Sequence, residues 1–165
     1  MNARDTEGTP ERAEFAGAVY GSLLAASVAA GTAVDGTPIS AGSLVVVLLC
    51  TGVVFWVAHV YALVVTHGTD GLTWRRLREA GRHEWPVAQA SFPPAVGAAF
   101  ASALGMSDVV ATWVALGVAV AGQVAWAVAA AVKARSSTRI VVLSGVANLA
   151  LGLAILALKT WVAHY

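Results

Sequence analysis

The sequence predicts an all-α fold: an integral membrane bundle of five transmembrane helices, with one short interfacial helix on the cytoplasmic side. Three observations carry that prediction. Hydrophobic residues fill 58% of the 165 positions and charged residues only 12%, a balance outside that of soluble domains. The apolar residues gather into five stretches near the length of about 17–25 residues that a bilayer crossing needs. The charges sit between these stretches, and threading the chain through a membrane brings nearly all the basic ones to one side.

Residues 1–13 read as a mobile cytoplasmic tail and residues 14–165 as a single transmembrane domain. The tail is mixed in charge and has no signal-peptide layout, so the first span is expected to be retained. That span, 15–34, carries Gly17, Gly21, Ala25 and Ala29 at a spacing of four. Small residues at this spacing form a ridge along which another helix, from this chain or a second subunit, can approach closely. A tight turn at Asp35–Pro38 leads into the second span, 42–66, the most apolar of the five. It contains Trp56-Val-Ala-His59, and His59 is the one ionisable side chain deep inside any stretch. Cys50 lies mid-span and packs as a small hydrophobe.

From Asp70 to Trp85 the pattern becomes that of an interfacial helix, 70–85, with Trp74, Leu77, Gly81 and Trp85 on one face. Arg75, Arg76, Arg78 and Arg82 occupy the remainder and are candidate lipid-headgroup contacts. The third span, 87–104, is the weakest, because Gln89, Ser91 and Pro93-Pro94 interrupt it. A kink, or a helix starting at Pro93, suits it as well as a straight rod. The fourth span, 109–132, repeats the small-residue device through Ala111, Ala115, Ala119, Gln123, Ala127 and Ala131, and the third offers Ala95, Ala99 and Ala103. The fifth, 139–162, places Ser144, Asn148 and Gly152 on one face.

Five crossings put Arg4, Arg12, Arg75, Arg76, Arg78, Arg82, Lys133, Arg135 and Arg139 on one side, leaving only Lys159 opposite. The positive-inside rule then places the N-terminus in the cytoplasm of an inner (plasma) membrane and the C-terminus outside. Four crossings would divide the basic residues far less cleanly.

Depth sorts the polar side chains. Tyr20 and His59 fall about 10 Å inside the cytoplasmic boundary, and Gln123 and Asn148 near the midplane. An unsatisfied polar group facing lipid costs several kcal/mol, so Tyr20, His59, Gln123 and Asn148 form a candidate buried polar cluster. They serve either as interhelical hydrogen bonds or as the lining of a polar path. Tyr20, Ser22 and Ser91 are the expected partners of His59 across the bundle.

The chemistry of an enzyme is missing. All nine carboxylates lie in loops or at span ends, leaving proton or cation relays without an intramembrane carrier. His67, Asp70, His83 and Glu84 match no compact metal-ligand spacing. No phosphate loop, nucleophile motif or heme-type histidine pair occurs, so neither cofactor nor metal is expected. The arginine helix is tied to the membrane at both ends, which disfavours nucleic acid as a partner. Membrane lipids, a homo-oligomer or another membrane protein remain.

The pattern Arg12-x-Glu14-Phe15-x-Gly17-x-Val19-Tyr20, followed by Phe55-Trp56-x-x-His59, resembles the first two spans of bacterial relatives of the lysosomal potassium leak channel. The resemblance covers about residues 12–60 and implies an oligomeric cation channel whose first helix lines the pore. The family's Ser-Asp pair is replaced around Ala16 and Gly17, and the family has six spans. Two functions therefore stand: a non-enzymatic interaction or accessory subunit, which the missing intramembrane carboxylates favour, and an oligomeric channel or transporter with a polar path near His59.

Overall fold

A computed structural model describes residues 9–32, 39–66, 73–134 and 137–162, and among these the chain is helical with no strand. The helices are α1 (Thr9–Gly31), α2 (Ala41–Thr66), α3 (Trp74–His83), α4 (Trp85–Gln89), α5 (Phe92–Ala103), α6 (Asp108–Lys133) and α7 (Thr138–Val162). Three segments, Ala41–Thr66, Asp108–Lys133 and Thr138–Ile155, are long and apolar enough to cross a membrane, and Phe15–Gly31 is a shorter apolar helix. The outer surface carries Val54, Val96, Phe100 and Leu143 among many exposed large apolar side chains. A soluble protein rarely leaves so much apolar surface uncovered, whereas a bilayer accepts it.

Local signals set the helix ends. The Ser107 hydroxyl accepts from the Val110 N–H at 3.4 Å, and Asp108 occupies the first turn of α6 with Lys133 in its last, both charges opposing the helix dipole. Ser40 caps α2 by accepting from the Ser43 N–H at 3.2 Å. The Ala41 N–H donates to Asp108 Oδ1 at 2.8 Å, so one carboxylate serves the starts of both α2 and α6. At the end of α5, Gly105 takes φ 73°. Its N–H reaches the Ser102 carbonyl at 2.9 Å and the Met106 N–H reaches that of Ala101 at 3.1 Å, a left-handed cap that glycine adopts without steric cost.

The third apolar stretch is broken rather than straight. Pro93 and Pro94 cannot donate to the carbonyls four residues earlier, and their rings clash with them, so the chain turns at Ala90 and Ser91 and restarts as α5. The restart resets the helix face. Pro94, Ala95, Ala98 and Ala101 are buried, while Ala99 and Ala103, expected to share the packing face of Ala95, are exposed.

Helix α6 is the axis of the bundle, packed against α1, α5, α7 and an edge of α2. Its predicted ridge is buried throughout, from Ala111 to Ala131. Around it Ala25, Ala26, Ala29, Leu44, Leu48 and Ala98 close the centre against its Leu116. Small side chains on both partners let backbones approach closely, which substitutes dispersion contacts for bulk. Helix α7 lies outside, against α6 and part of α1, with Gly152 its one buried residue between 138 and 155.

The remaining boundaries differ modestly from expectation. Helix α1 begins at Thr9, inside the segment read as tail, and ends at Gly31; α3 covers the middle of the predicted 70–85 helix. The stretches 1–8, 33–38 and 67–72 lie outside the described residues, with Arg4, the first turn, His67 and Asp70 among them.

Candidate functional site

The four residues expected to form one polar cluster separate into two pairs. In the first, the rings of Tyr20 and His59 meet with centroids 5.4 Å apart, tilted by 54°. His59 Nδ1 is hydrogen-bonded to the Phe55 carbonyl at 2.8 Å, on its own helix. The expected partners across the bundle are engaged otherwise: Ser22 donates to the Ala18 carbonyl at 2.8 Å and Ser91 to that of Ala88 at 2.7 Å. Tyr20 is 41% exposed and also meets Phe55 edge-on, so this pair sits at the rim between α1 and α2. Gly52, Trp56 and His59, along one side of α2, face Ser91, Gly81 and Tyr20 in turn.

The second pair is interior. Gln123, fully buried, donates through Nε2 to Asn148 Oδ1 at 3.2 Å and to the Asn148 carbonyl at 3.3 Å. Asn148 in turn donates to the Ser144 carbonyl at 3.0 Å. Gln123 Oε1 is buried with no partner among the described residues. The pair staples α6 to α7 where Gly152 lets the helices close: a Cβ there would stand 2.5 Å from Val120 Cγ1.

The Gly17–Ala29 ridge is occupied within the chain. A Cβ on Gly17 would lie 3.2 Å from Val87 Cγ2, and one on Gly21 would lie 2.5 Å from the Val87 carbonyl oxygen. Ala25 and Ala29 continue into the central core. The glycines therefore admit α4, and the same principle operates at Gly52, whose missing Cβ leaves the space that the Ser91 hydroxyl occupies.

The arginine helix builds a concave feature against α2. α3 folds back on α2, and the Trp56 indole N–H donates to the Gly81 carbonyl at 2.8 Å. Trp85 meets Trp56 at right angles with centroids 5.7 Å apart. Between the helices lies a cleft of about 570 Å³, walled by Trp56, Val57, Val60, Leu77 and Trp85, with Trp74, Arg78 and Arg82 at its edge. This volume falls in the range of small-molecule sites, about 300–1,000 Å³. Arg75 is spent elsewhere, paired with Glu79 at 3.0 Å on the exposed side of α3, and His83 Nδ1 lies 3.1 Å from Glu84 Oε1.

Of the arginines singled out in the sequence, Arg78 and Arg82 thus line a cavity and Arg75 does not. The aromatic signal was present in the spacing of Trp74 and Trp85, but the wall supplied by Trp56, Val57 and Val60 required knowing that α3 returns onto α2. Among the described residues, no group of three or more His, Cys, Asp or Glu side chains could hold a metal ion. No protein-family model, curated protein or solved structure matches the chain.

Proposed function

We propose that the chain is a non-enzymatic, multi-pass inner-membrane protein that acts through interaction, as an accessory subunit or through its lipid contacts. It does not conduct through its own centre. The observation that carries this reading is the filled core: Leu44 and Leu116 are fully buried amid alanines of α1, α5 and α6. A small void beside Gly21, Gly52 and Ser91 holds about 10 Å³, no more than the space of one water. The exposed flank of α7 offers a membrane partner, or a second copy, a long apolar surface.

Five crossings remain the proposed topology, with α4 and α5 together forming one broken crossing. α5 alone rises only about 18 Å, but Trp85 to Ala103 reaches up to about 28 Å at 1.5 Å per residue, near the roughly 30 Å hydrocarbon core. The basic residues then set the N-terminus and α3 in the cytoplasm and the C-terminus outside.

Reconstitution into liposomes tests the functional reading. No flux of potassium, sodium or protons is expected, and affinity purification from native membranes is expected to bring down a stoichiometric partner. Specific cation flux would overturn it. So would a run of positions within 52–63 that, changed to cysteine, react with a membrane-impermeant reagent.

A further inference from the structure

The cleft between α2 and α3 combines features that a structural crevice does not require. Its lining is largely apolar and includes Val57 and Val60 of α2 and Leu77 of α3. Its back wall is rigid, because Trp56 is fixed by the Gly81 carbonyl on one side and by Trp85 on the other. Its charge is of one sign. Glu79 of α3 is paired with Arg75 on the exposed side, and neither Glu79 nor Glu84 lines the cleft. Arg78 and Arg82 have no ion pair among the described residues and both line the cleft. Two guanidinium forks beside a walled apolar slot match a phosphodiester joined to a hydrocarbon chain.

We propose that this cleft binds one anionic phospholipid, its phosphate held by Arg78 and Arg82 and one acyl chain lying against Trp56, Val60 and Trp85. Charge complementarity selects the headgroup. The uncompensated arginines repel a cationic partner, and the closeness of the cleft to the membrane-capable helix α2 selects a lipid over a soluble anion. Trp74, 78% exposed at the cleft edge, sits where an indole contacts glycerol and headgroup atoms. Trp56 is already held by Gly81 and Trp85, so it loses little freedom on binding, and the ordering cost falls on Arg78, Arg82 and Trp74. The inference rests on the membrane location proposed above and not on the accessory role.

Native mass spectrometry of the full chain tests it, with the protein released from mild detergent supplemented with equal phosphatidylglycerol and phosphatidylcholine. One retained phosphatidylglycerol per chain is expected, enriched about tenfold or more over phosphatidylcholine, as two arginines acting on one headgroup would produce. In Arg78→Gln/Arg82→Gln the enrichment falls to about onefold with thermal stability unchanged. In Val57→Phe, which fills the slot from an exposed position, retention of both lipids falls.

Retention of neither lipid, equal retention, or unchanged preference in the arginine variant overturns the proposal. Displacement of the lipid by equimolar glycerol phosphate assigns the site to a soluble anion and also overturns it, as does a second copy of the chain in place of a lipid adduct. Carbonate washing of the source membranes separates the two inferences. A chain released by the wash refutes the membrane location itself, whereas a chain that stays but binds no lipid refutes only the site.

Discussion

The Trp56 indole N–H donates to the Gly81 carbonyl at 2.8 Å, and a Cβ on Gly81 would lie 3.3 Å from Trp56 Cζ2. This contact joins two elements that the sequence places 25 residues apart, and it sets how closely α3 lies on α2. Trp56→Phe keeps an aromatic ring, though a smaller one, and removes the donor. It is expected to weaken α3 docking by about 1 kcal/mol, raising amide exchange about fivefold across 74–83 while α6 is unchanged. Equal acceleration in both helices would show that the bond is not local to α3.

Glycines in this bundle divide by what surrounds them. A Cβ on Gly21 meets the Val87 carbonyl and, at 2.8 Å, Ala90 Cβ, whereas one on Gly117 meets nothing within 4 Å. Gly21→Ala is expected to cost about 1–3 kcal/mol through backbone displacement. Gly117→Ala is expected to gain about 0.5–1 kcal/mol from helix propensity. Thermal unfolding in one detergent compares the two, and similar signs would contradict the assigned packing.

The Gln123–Asn148 pair is a test of polar stapling. A double-mutant cycle with Gln123→Met and Asn148→Ala is expected to give a coupling of about 0.6 kcal/mol, the average for hydrogen bonds between membrane helices. Gln123→Met alone should cost little, because it also removes the unpartnered Oε1. A strongly destabilised Gln123→Met would point to a bound partner for that oxygen.

Asp108 serves two helix starts through one side chain. Asp108→Ala is expected to lower stability by about 1 kcal/mol, the scale of a lost cap. Asp108→Asn, which keeps an acceptor for the Ala41 N–H, should recover much of it. Chemical denaturation of the two variants reads the difference, and equal losses would assign the effect to charge alone.

Much of this architecture is legible from periodicity and length. Helices α2, α6 and α7 fall within one residue of the expected ends, because each is a long apolar run bounded by turn or charged residues. Pro93-Pro94 left a kink and a straight rod equally open in the sequence, and the effect on the α5 face was not legible, since the turn at Ala90–Ser91 restarts the helical phase. His59 illustrates a different limit. A side chain that satisfies itself on its own Phe55 carbonyl leaves no trace in the spacing of residues on other helices. The cleft was half legible: the arginines of α3 and the tryptophans Trp74 and Trp85 were marked, and the wall they face was not.

Ser91 and Gly52 share one small volume: the hydroxyl of the first, donated to the Ala88 carbonyl, fills the space that the second leaves vacant. The two positions therefore form a single reciprocal unit between α2 and the turn that separates α4 from α5. Enlarging Gly52 to alanine would displace Ser91 and loosen the turn, and shrinking Ser91 to glycine at the same time would restore the fit. In a lineage of such chains, size at position 52 and size at position 91 would trade against each other.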